Sequence, residues 1–542
     1  MGLATFILIV LLLIAISGIV IRFLPVPLPL IQIALGVALA WPAAGLHVKL
    51  EPEIFLLVFV SPLLFIDGFL VPKREFAELA RPIFGLAFGL VFLTVVLFGY
   101  ALNWLIPSMP LPVAFALAAV LSPTDAVAVS SIVGNGMVSA RVRHILEGES
   151  LLNDASGLVI FRFAVMAALT GHFSLGETAL TFFAVALGGV MCGIAMLWLT
   201  ALALRLVAKI GDIKDEVQVV ILFLLPFAAY LLAERFHASG ILAAVAAGLY
   251  INASGLFGSL SVPARMQNFA LIGILSFVFN GAIFLMLGMQ LPDIVRKVPP
   301  ELSLYGTVWE PILAVVLLTF ILLAIRYAWI NFGSLLNKIV DKVRNRRSER
   351  LRGRLKLFAA LAGVRGAITL AGVLSLPFAM PDGSPFPARD LAIFIAAGVI
   401  LCSLLLASFV LPLVARSIPL EKEDRMANEE QLARTTAAEA AVARIEELVD
   451  ESAGDPALHE ARQAAARYII PIYRHRVIAD EADDSAGALL RPVLQEMRVA
   501  ALEAERTALA RLFKERKIND TTLRAIGGEL TLSQALSQAR RK

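Results

Sequence analysis

The sequence is poor in charge and in cysteine. Only 17% of its 542 residues are charged, against about a quarter in soluble proteins. The two cysteines, Cys192 and Cys402, both lie in apolar runs, which argues against a disulfide or metal framework. The six histidines have no ligand spacing, and the GxxxxGK[ST] and HExxH patterns are absent, so we predict no cofactor, no ATP-driven pumping and no zinc proteolysis. A soluble enzyme, a disordered chain and a disulfide-rich secreted protein are all excluded.

Hydrophobic residues make up 59% of the chain, and the charges that remain are unevenly distributed. Residues 421–542 contain 19 basic and 22 acidic side chains, whereas residues 1–420 contain 28 basic and 21 acidic ones. The isoelectric point near 9.1 therefore reflects the hydrophobic part of the chain and does not indicate a nucleic-acid partner. We predict an all-helical, polytopic membrane domain at residues 1–416 and a charged helical tail at 417–542.

Apolar stretches of about 18–25 residues are long enough to cross a bilayer as helices. Thirteen such spans are predicted, at residues 3–23, 26–43, 53–71, 83–106, 110–132, 145–171, 178–207, 216–234, 238–254, 269–291, 309–334, 357–381 and 388–416. Loops after odd-numbered spans are rich in Lys and Arg, including nine basic residues from Lys338 to Lys356. Because positive loops remain in the cytoplasm, we expect an inner (plasma) membrane protein with its N-terminus outside and its C-terminus cytoplasmic.

The thirteen spans divide into two sets of six around a central seventh. The odd seventh span starts the second set from the opposite side of the membrane, which predicts an inverted-topology repeat. Span five is interrupted at residues 122–125 (SPTD) and span twelve at residues 363–366 (GVRG), and each is the fifth helix of its half. Interrupted helices at matching positions mark the binding site in transporters of this kind.

Span six contains an unusual density of ionisable residues, each of which costs roughly 2.5–3.5 kcal/mol at mid-membrane. On a helix, Ser150 and Asp154 share a face, which Glu147 joins one turn earlier. This face offers the hydroxyl and carboxylate oxygens that a hard monovalent cation such as Na⁺ needs. Glu149 and Asn153 share a neighbouring strip, which suits an arginine partner. We predict that Asp154 is the cation site.

Residues near the two interruptions complete the candidate site. Pro123 frees carbonyl groups near Thr124, whose hydroxyl could add an oxygen ligand. Asp125 could bind ions, or it could neutralise the N-terminal dipole of the following half-helix, which we favour. Asp67, near the cytoplasmic end of span three, could line a pathway, snorkel or cap its helix.

Arginines inside the spans are interpreted as structural. Arg365, in the second interruption, is expected to pair with Glu149, because a guanidinium does not release its proton at physiological pH. Arg162, Arg205 and Arg326 are assigned to snorkelling or internal pairing.

Five segments give the sequence a specific resemblance: LSPTDAVAVSSIVG (121–134), LEGESLLNDASGLVIFRFAV (146–165), SGILAAVAAGL (239–249), FVFNGAIFLMLGMQL (277–291) and AGVRGAITLAGVL (362–374). The chain resembles bacterial sodium/proton exchangers of the monovalent cation/proton antiporter superfamily, in the branch related to animal exchangers. The resemblance implies thirteen helices, crossed interrupted helices five and twelve, a dimerisation scaffold and a six-helix core that moves as an elevator. It also implies a homodimer in the lipid membrane that exchanges Na⁺, or Li⁺ or K⁺, for H⁺ and serves pH homeostasis.

The resemblance further implies roles for single residues. Asp154, in the pair Asn153-Asp154, matches the carboxylate that binds cation and proton in turn. Thr124 and Ser150 match the ancillary Na⁺ ligands, and Asp67 occupies an acidic pathway position.

The resemblance also matches Glu149 and Arg365 to the buried ion pair of the core. Asn153, in place of a second aspartate, resembles the electroneutral one-for-one members.

Three alternatives remain at this point. A K⁺/H⁺ antiporter would use the same site, and a monovalent cation channel would need an open pore with a repeated filter. An intramembrane aspartyl protease would pair Asp125 with Asp154, but its Gly-x-Gly-Asp segment is missing. For the tail, helix pairing, regulation of transport and plain solvated helices all remain open.

Overall fold

The architecture is helical throughout the part of the chain that the structure describes. This computed structural model describes residues 3–24, 26–40, 52–134, 137–171, 175–296, 309–343, 353–418, 424–451 and 456–481, and residues 505, 507, 508, 511 and 515. The chain divides into two compact units, Met1–Leu420 and Glu421–Lys542.

The first unit contains nineteen described α-helices. The first ten are α1 (Leu3–Val20), α2 (Leu28–Leu39), α3 (Pro52–Phe55), α4 (Ser61–Leu70), α5 (Lys73–Glu78), α6 (Ala80–Phe84), α7 (Val91–Leu105), α8 (Leu111–Leu121), α9 (Ala126–Val133) and α10 (Ala140–Thr170). The others are α11 (Leu175–Ala208), α12 (Asp215–Arg235), α13 (Gly240–Tyr250), α14 (Leu256–Ser259), α15 (Val262–Arg296), α16 (Trp309–Val343), α17 (Gly353–Leu361), α18 (Ala367–Leu374) and α19 (Arg389–Arg416).

Local sequence signals determine several of these helix ends. Pro29 and Pro112 lie in the first turns of α2 and α8, where a missing N–H is tolerated. Ser239 caps α13 by accepting a hydrogen bond from the Leu242 N–H at 3.3 Å. Gly171 ends α10 in the left-handed conformation, which glycine adopts without strain.

Seven described helices are long and apolar enough to cross a membrane: Ala80–Leu105, Ala140–Thr170, Phe183–Ala208, Asp215–Arg235, Val262–Pro292, Glu310–Leu336 and Arg389–Arg416. The pair α8 and α9, bent by 44° at a short break, would make an eighth span. Four shorter apolar helices, at Ala4–Val20, Leu28–Leu39, Leu56–Leu70 and Gly240–Tyr250, accompany them. The chain is thus a multi-helix membrane protein.

Helix contacts within the first unit fall largely into two groups. The α12 group comprises α1, α2, α4, α11, α12, α13 and α15. The α10 group comprises α7, α8, α9, α10, α16, α17, α18 and α19. Contacts between the groups are fewer, and they involve mainly α10, α15 and α18. Both interrupted spans belong to the α10 group.

Two π-helical segments, Leu56–Val60 and Gly85–Leu90, interrupt the third and fourth predicted spans. Side chains of neighbouring helices bond to the second segment: the Ser156 hydroxyl donates to the Ala87 carbonyl at 2.8 Å, and the Trp329 indole donates to the Gly85 carbonyl at 3.2 Å. The π segment is thereby held against α10 and α16.

The second unit contains α20 (Asp424–Asp450) and α21 (Pro456–Glu481) among its described residues. The two helices pack together, and the Arg462 guanidinium donates to the Leu448 carbonyl at 2.5 Å. The Ala-, Glu- and Arg-rich composition of the tail predicts amphipathic helices at residues 427–451 and 493–517. The first range corresponds to α20, and the second lies almost wholly outside the described residues.

Candidate functional site

The two interrupted helices meet backbone to backbone. The Asp125 N–H, in the first break, donates to the Val364 carbonyl in the second break at 2.8 Å. Gly366 lies so close to Asp125 that an added methyl group would stand 1.9 Å from its Oδ2 atom. Only glycine allows this approach, so Gly366 is required for the contact.

The first break places polar groups at the start of α9. Asp125 caps this half-helix, since its Oδ1 atom accepts a hydrogen bond from the Ala128 N–H at 2.9 Å. The Ser150 hydroxyl, on α10, accepts from the Ala126 N–H at 3.3 Å. The capping role favoured for Asp125 is therefore the one that the structure displays, and its participation in ion binding stays a prediction.

Asp154 lies on the same face of α10 as Ser150, one turn further along. Its side chain is buried, with 7% of the residue exposed. Within the described part of the chain its carboxylate has no hydrogen-bond partner, although the charges of Asp125 and Asp67 act on it. A buried carboxylate without donors is costly, so this group needs a proton or a cation.

Asn153 and Thr124 form a second polar strip beside Asp154. The Asn153 amide donates to the Thr124 hydroxyl at 3.0 Å, and this hydroxyl donates to Glu149 Oε1 at 3.4 Å. The Asn153 Oδ1 atom is buried and has no partner among the described residues. An unpaired carbonyl oxygen next to a carboxylate is suitable for a dehydrated cation.

The structure gives Glu149 a different partner from the one expected. Both carboxylate oxygens of Glu149 accept from the Arg326 guanidinium, one of them at 2.8 Å. The Arg326 Nε–H donates to the Ala359 carbonyl at 2.9 Å, and both residues of the pair are buried. Arg326 lies at the centre of α16, too far from either end to snorkel. Internal pairing, one of the two roles that the sequence left open for it, is therefore confirmed, whereas its partner Glu149 was not predicted.

Arg365 instead bonds to backbone carbonyls of the two breaks. Its Nε–H donates to the carbonyl of Leu121, the last residue of α8, at 2.8 Å, and Nη1 donates to the carbonyl of Gly363. The backbone N–H of Arg365 donates to the Ser403 hydroxyl at 3.2 Å. Because these bonds place a positive charge at the C-terminus of α8, Arg365 stabilises the interrupted helices directly.

Two further acidic residues, Glu147 and Asp67, lie on the side of Asp154 towards the N-terminal end of α10. Glu147, whose side chain is 37% exposed, pairs with Arg143 at 3.7 Å. Asp67, on α4, is close enough to interact electrostatically with Glu147 and Asp125. Asp67 also interacts electrostatically with Asp154, so the structure places it in the neighbourhood of the predicted cation site.

Lys73 follows α4 and bonds to its last turn. Its ammonium group donates to the carbonyls of Gly68 at 2.9 Å and Phe69 at 2.7 Å. Burial lowers the pKa of Lys73 to about 8.

Taken together, the polar groups favour a monovalent ion over a clustered metal centre. In the described ranges, no three His, Cys, Asp or Glu side chains form a group that could hold a metal ion. An ion at Asp154 would therefore be bound by one carboxylate together with hydroxyl, amide and backbone oxygens, which is typical of alkali-cation binding.

Known proteins are similar to this one over most of the chain. A family model described as sodium/hydrogen exchanger, transmembrane, matches residues 8–417. The chain is 42% identical over 540 residues to the uncharacterized Na⁺/H⁺ exchanger YjcE of Escherichia coli K12, which covers 98% of each protein. It is 41% identical over 410 residues to the sodium, potassium, lithium and rubidium/H⁺ antiporter of Bacillus subtilis, covering 75% of this chain and 61% of that one.

A solved structure is similar as well. The sodium proton antiporter MjNhaP1 from Methanocaldococcus jannaschii matches with a TM-score of 0.59 and 18% sequence identity, over 76% of this chain and 97% of that one. This likeness shows the fold. The resemblance drawn from the sequence motifs is confirmed, and the chain belongs to the sodium/hydrogen exchanger family of membrane antiporters.

Proposed function

We propose that this protein exchanges Na⁺ for H⁺ through alternating access, with Asp154 as the shared binding group. The observation that carries the proposal is the buried Asp154 carboxylate, which has no hydrogen-bond partner within the described residues and lies beside Ser150 and the crossed breaks. Ser150 and Thr124 supply further oxygens, and Asn153 contributes its unpaired carbonyl oxygen.

Competition for one carboxylate couples the two ions. Asp154 binds either a proton or a dehydrated Na⁺, and both neutralise it. An empty, charged carboxylate would have to cross a region of low dielectric, which is penalised. The core therefore changes its exposure only when loaded, which gives a one-for-one, electroneutral exchange.

Two glycine contacts support the inverted repeat that we propose for thirteen spans. A methyl group at Gly36, in span two, would lie 2.0 Å from the Leu285 carbonyl, three residues before Gly288 in span ten. A methyl group at Gly248, in span nine, would lie 2.2 Å from a backbone carbonyl in span three, which belongs to the residue three positions before Gly68. In the repeat, span two corresponds to span nine and span three corresponds to span ten. The contact of span two with span ten is therefore equivalent to the contact of span nine with span three.

Further features of the proposal concern the whole protein. We place it in the inner (plasma) membrane with the N-terminus outside and the tail cytoplasmic, as the loop charges predict. The α12 group would form the scaffold of a homodimer, and the α10 group would be the moving core. The exchange would serve pH homeostasis.

A broader cation range is the second candidate. The Bacillus subtilis relative is named for sodium, potassium, lithium and rubidium. Asp154 and its neighbours present oxygens that any of these ions could use, so K⁺/H⁺ exchange remains a candidate. Initial rates with each alkali cation at equal concentration distinguish the two.

The experiment that tests the proposal compares Asp154→Asn with Asp382→Asn in vesicles that carry a pH gradient. Asp382 is an acidic residue in an exposed turn, where it accepts from Ser384 at 2.9 Å. We expect Asp154→Asn to abolish cation-dependent dissipation of the gradient while the protein stays folded, and Asp382→Asn to retain it. Exchange that persists in Asp154→Asn would overturn the assignment.

A further inference from the structure

An ion pair connects the two groups of helices beyond the cation site. Arg162, on α10, donates through Nη2 to Glu234 Oε1, on α12, at 3.0 Å. By contrast, the pair of Arg143 with Glu147 lies within one helix. The pair of Glu149 with Arg326 lies within the α10 group.

The pair lies on the opposite side of Asp154 from the acidic approach. Arg162 follows Asp154 by eight residues, or about 12 Å along the helix, whereas Glu147 precedes it. Glu234 is the last residue but one of α12. The ion pair therefore joins the two helix groups at the C-terminal part of α10, which is remote from Glu147.

We propose that the Arg162–Glu234 ion pair holds the α10 group against the α12 group in one conformation of the transport cycle, and that it breaks when the core moves. The inference rests on the alternating-access mechanism proposed above. Glu147 is partly exposed on the side of Asp154 that the loop charges assign to the cytoplasm, so we take this conformation as the one whose site faces the cytoplasm. The ion pair closes the other side.

The strength of the pair is suited to this role. The two side chains are 43% and 36% exposed, so water and salt weaken their attraction. Half-exposed pairs of this kind change equilibria by roughly 1.5- to 5-fold. Such a bias favours one conformation and can still be overcome in every cycle.

The test uses Arg162→Gln, Glu234→Gln and the charge exchange Arg162→Glu/Glu234→Arg. Half-saturating Na⁺ concentrations are measured in inside-out and right-side-out vesicles. Each single variant should weaken apparent Na⁺ affinity at the cytoplasmic side relative to the outer side, so that their ratio shifts by roughly 1.5- to 5-fold. The charge exchange should return the ratio towards that of the wild type.

Matched measurements separate this role from general damage. Arg74→Gln, which removes an ion pair within α5, should leave the ratio unchanged. An equal change on both sides, or a charge exchange that fails to restore the ratio, would overturn the proposal. If Asp154→Asn abolishes exchange but the Arg162 and Glu234 variants leave the ratio unaltered, the proposed exchange function stands and the proposed role of the ion pair is rejected.

Discussion

Single buried charges dominate the chemistry of this molecule. Asp154 has no hydrogen-bond partner in the described part of the chain, whereas Glu149 accepts both of its strong bonds from Arg326. These two carboxylates are five residues apart on one helix, yet one is fixed by a counter-charge and the other is left for a mobile cation. We propose that this difference in pairing, not depth alone, separates a structural acid, Glu149, from a transport acid, Asp154.

The buried pair gives a prediction about stability. Arg326→Leu leaves Glu149 charged and unpaired, which should cost about 3–5 kcal/mol. Arg326→Lys should recover only part of the loss, since an ammonium cannot make the bidentate contact. The double variant Glu149→Leu/Arg326→Leu should be more stable than Arg326→Leu alone. Thermal unfolding in detergent measures all three, and a double variant as unstable as the single would contradict this account.

Lys73 yields a prediction about pH. Burial lowers its pKa to about 8, so about half of the amines are neutral at pH 8, against under 1% for an ordinary lysine. An acylating reagent reacts only with the neutral amine. The rate at which it labels Lys73 should therefore rise with pH and reach half of its maximum near pH 8. Pulse labelling followed by mass spectrometry measures this rate, with a blocked lysine amide as control. A midpoint near that of the control would show that burial does not act on the amine.

At the scale of helices, close packing depends on glycine. α2 and α15 approach through Gly36 and Gly288, and α4 and α13 approach through Gly68 and Gly248. Lipid offers no hydrophobic driving force between helices, so small residues that let backbones touch supply much of the association energy.

This packing predicts opposite outcomes for two substitutions in α15. A methyl group at Gly288 would lie 2.0 Å from the Ile33 carbonyl, so Gly288→Ala should destabilise the fold by about 1–3 kcal/mol. Gly273 has no atom within 4 Å of such a methyl group. Gly273→Ala should be neutral or stabilising by up to about 1 kcal/mol, because alanine favours helix. The thermal unfolding midpoints of the two variants test this prediction. Equal midpoints would argue against the close contact at Gly288.

Helix positions were largely predictable, because the bilayer imposes a length and hydropathy displays it. The break at residues 122–125 was evident from its proline, and the break at 363–366 from its two glycines and arginine. The π-helical segment Gly85–Leu90 was not predictable, since its carbonyls are bonded by Ser156 and Trp329 from distant helices. The partner of Glu149 was missed for the same reason, because pairing depends on which spans become neighbours.

At the scale of the whole molecule, the α10 group contains both breaks and most of the candidate site, while Asp67 contributes from the α12 group. Sequence motifs were sufficient to predict the family and Asp154 as the candidate cation site. They did not indicate that Arg162 and Glu234 meet across the two groups, because these residues are 72 positions apart and Glu234 lies outside the five motif segments, although Arg162 lies within segment 146–165.

The central claim is that Na⁺ and H⁺ displace each other at Asp154. Calorimetric titration of the purified protein with Na⁺, in buffers of different ionisation enthalpy, measures the protons released for each ion bound. At acidic pH we predict release approaching one proton per Na⁺ in the wild type and neither binding nor release in Asp154→Asn. Na⁺ binding without proton release, or equal release from Asp154→Asn, would contradict the account.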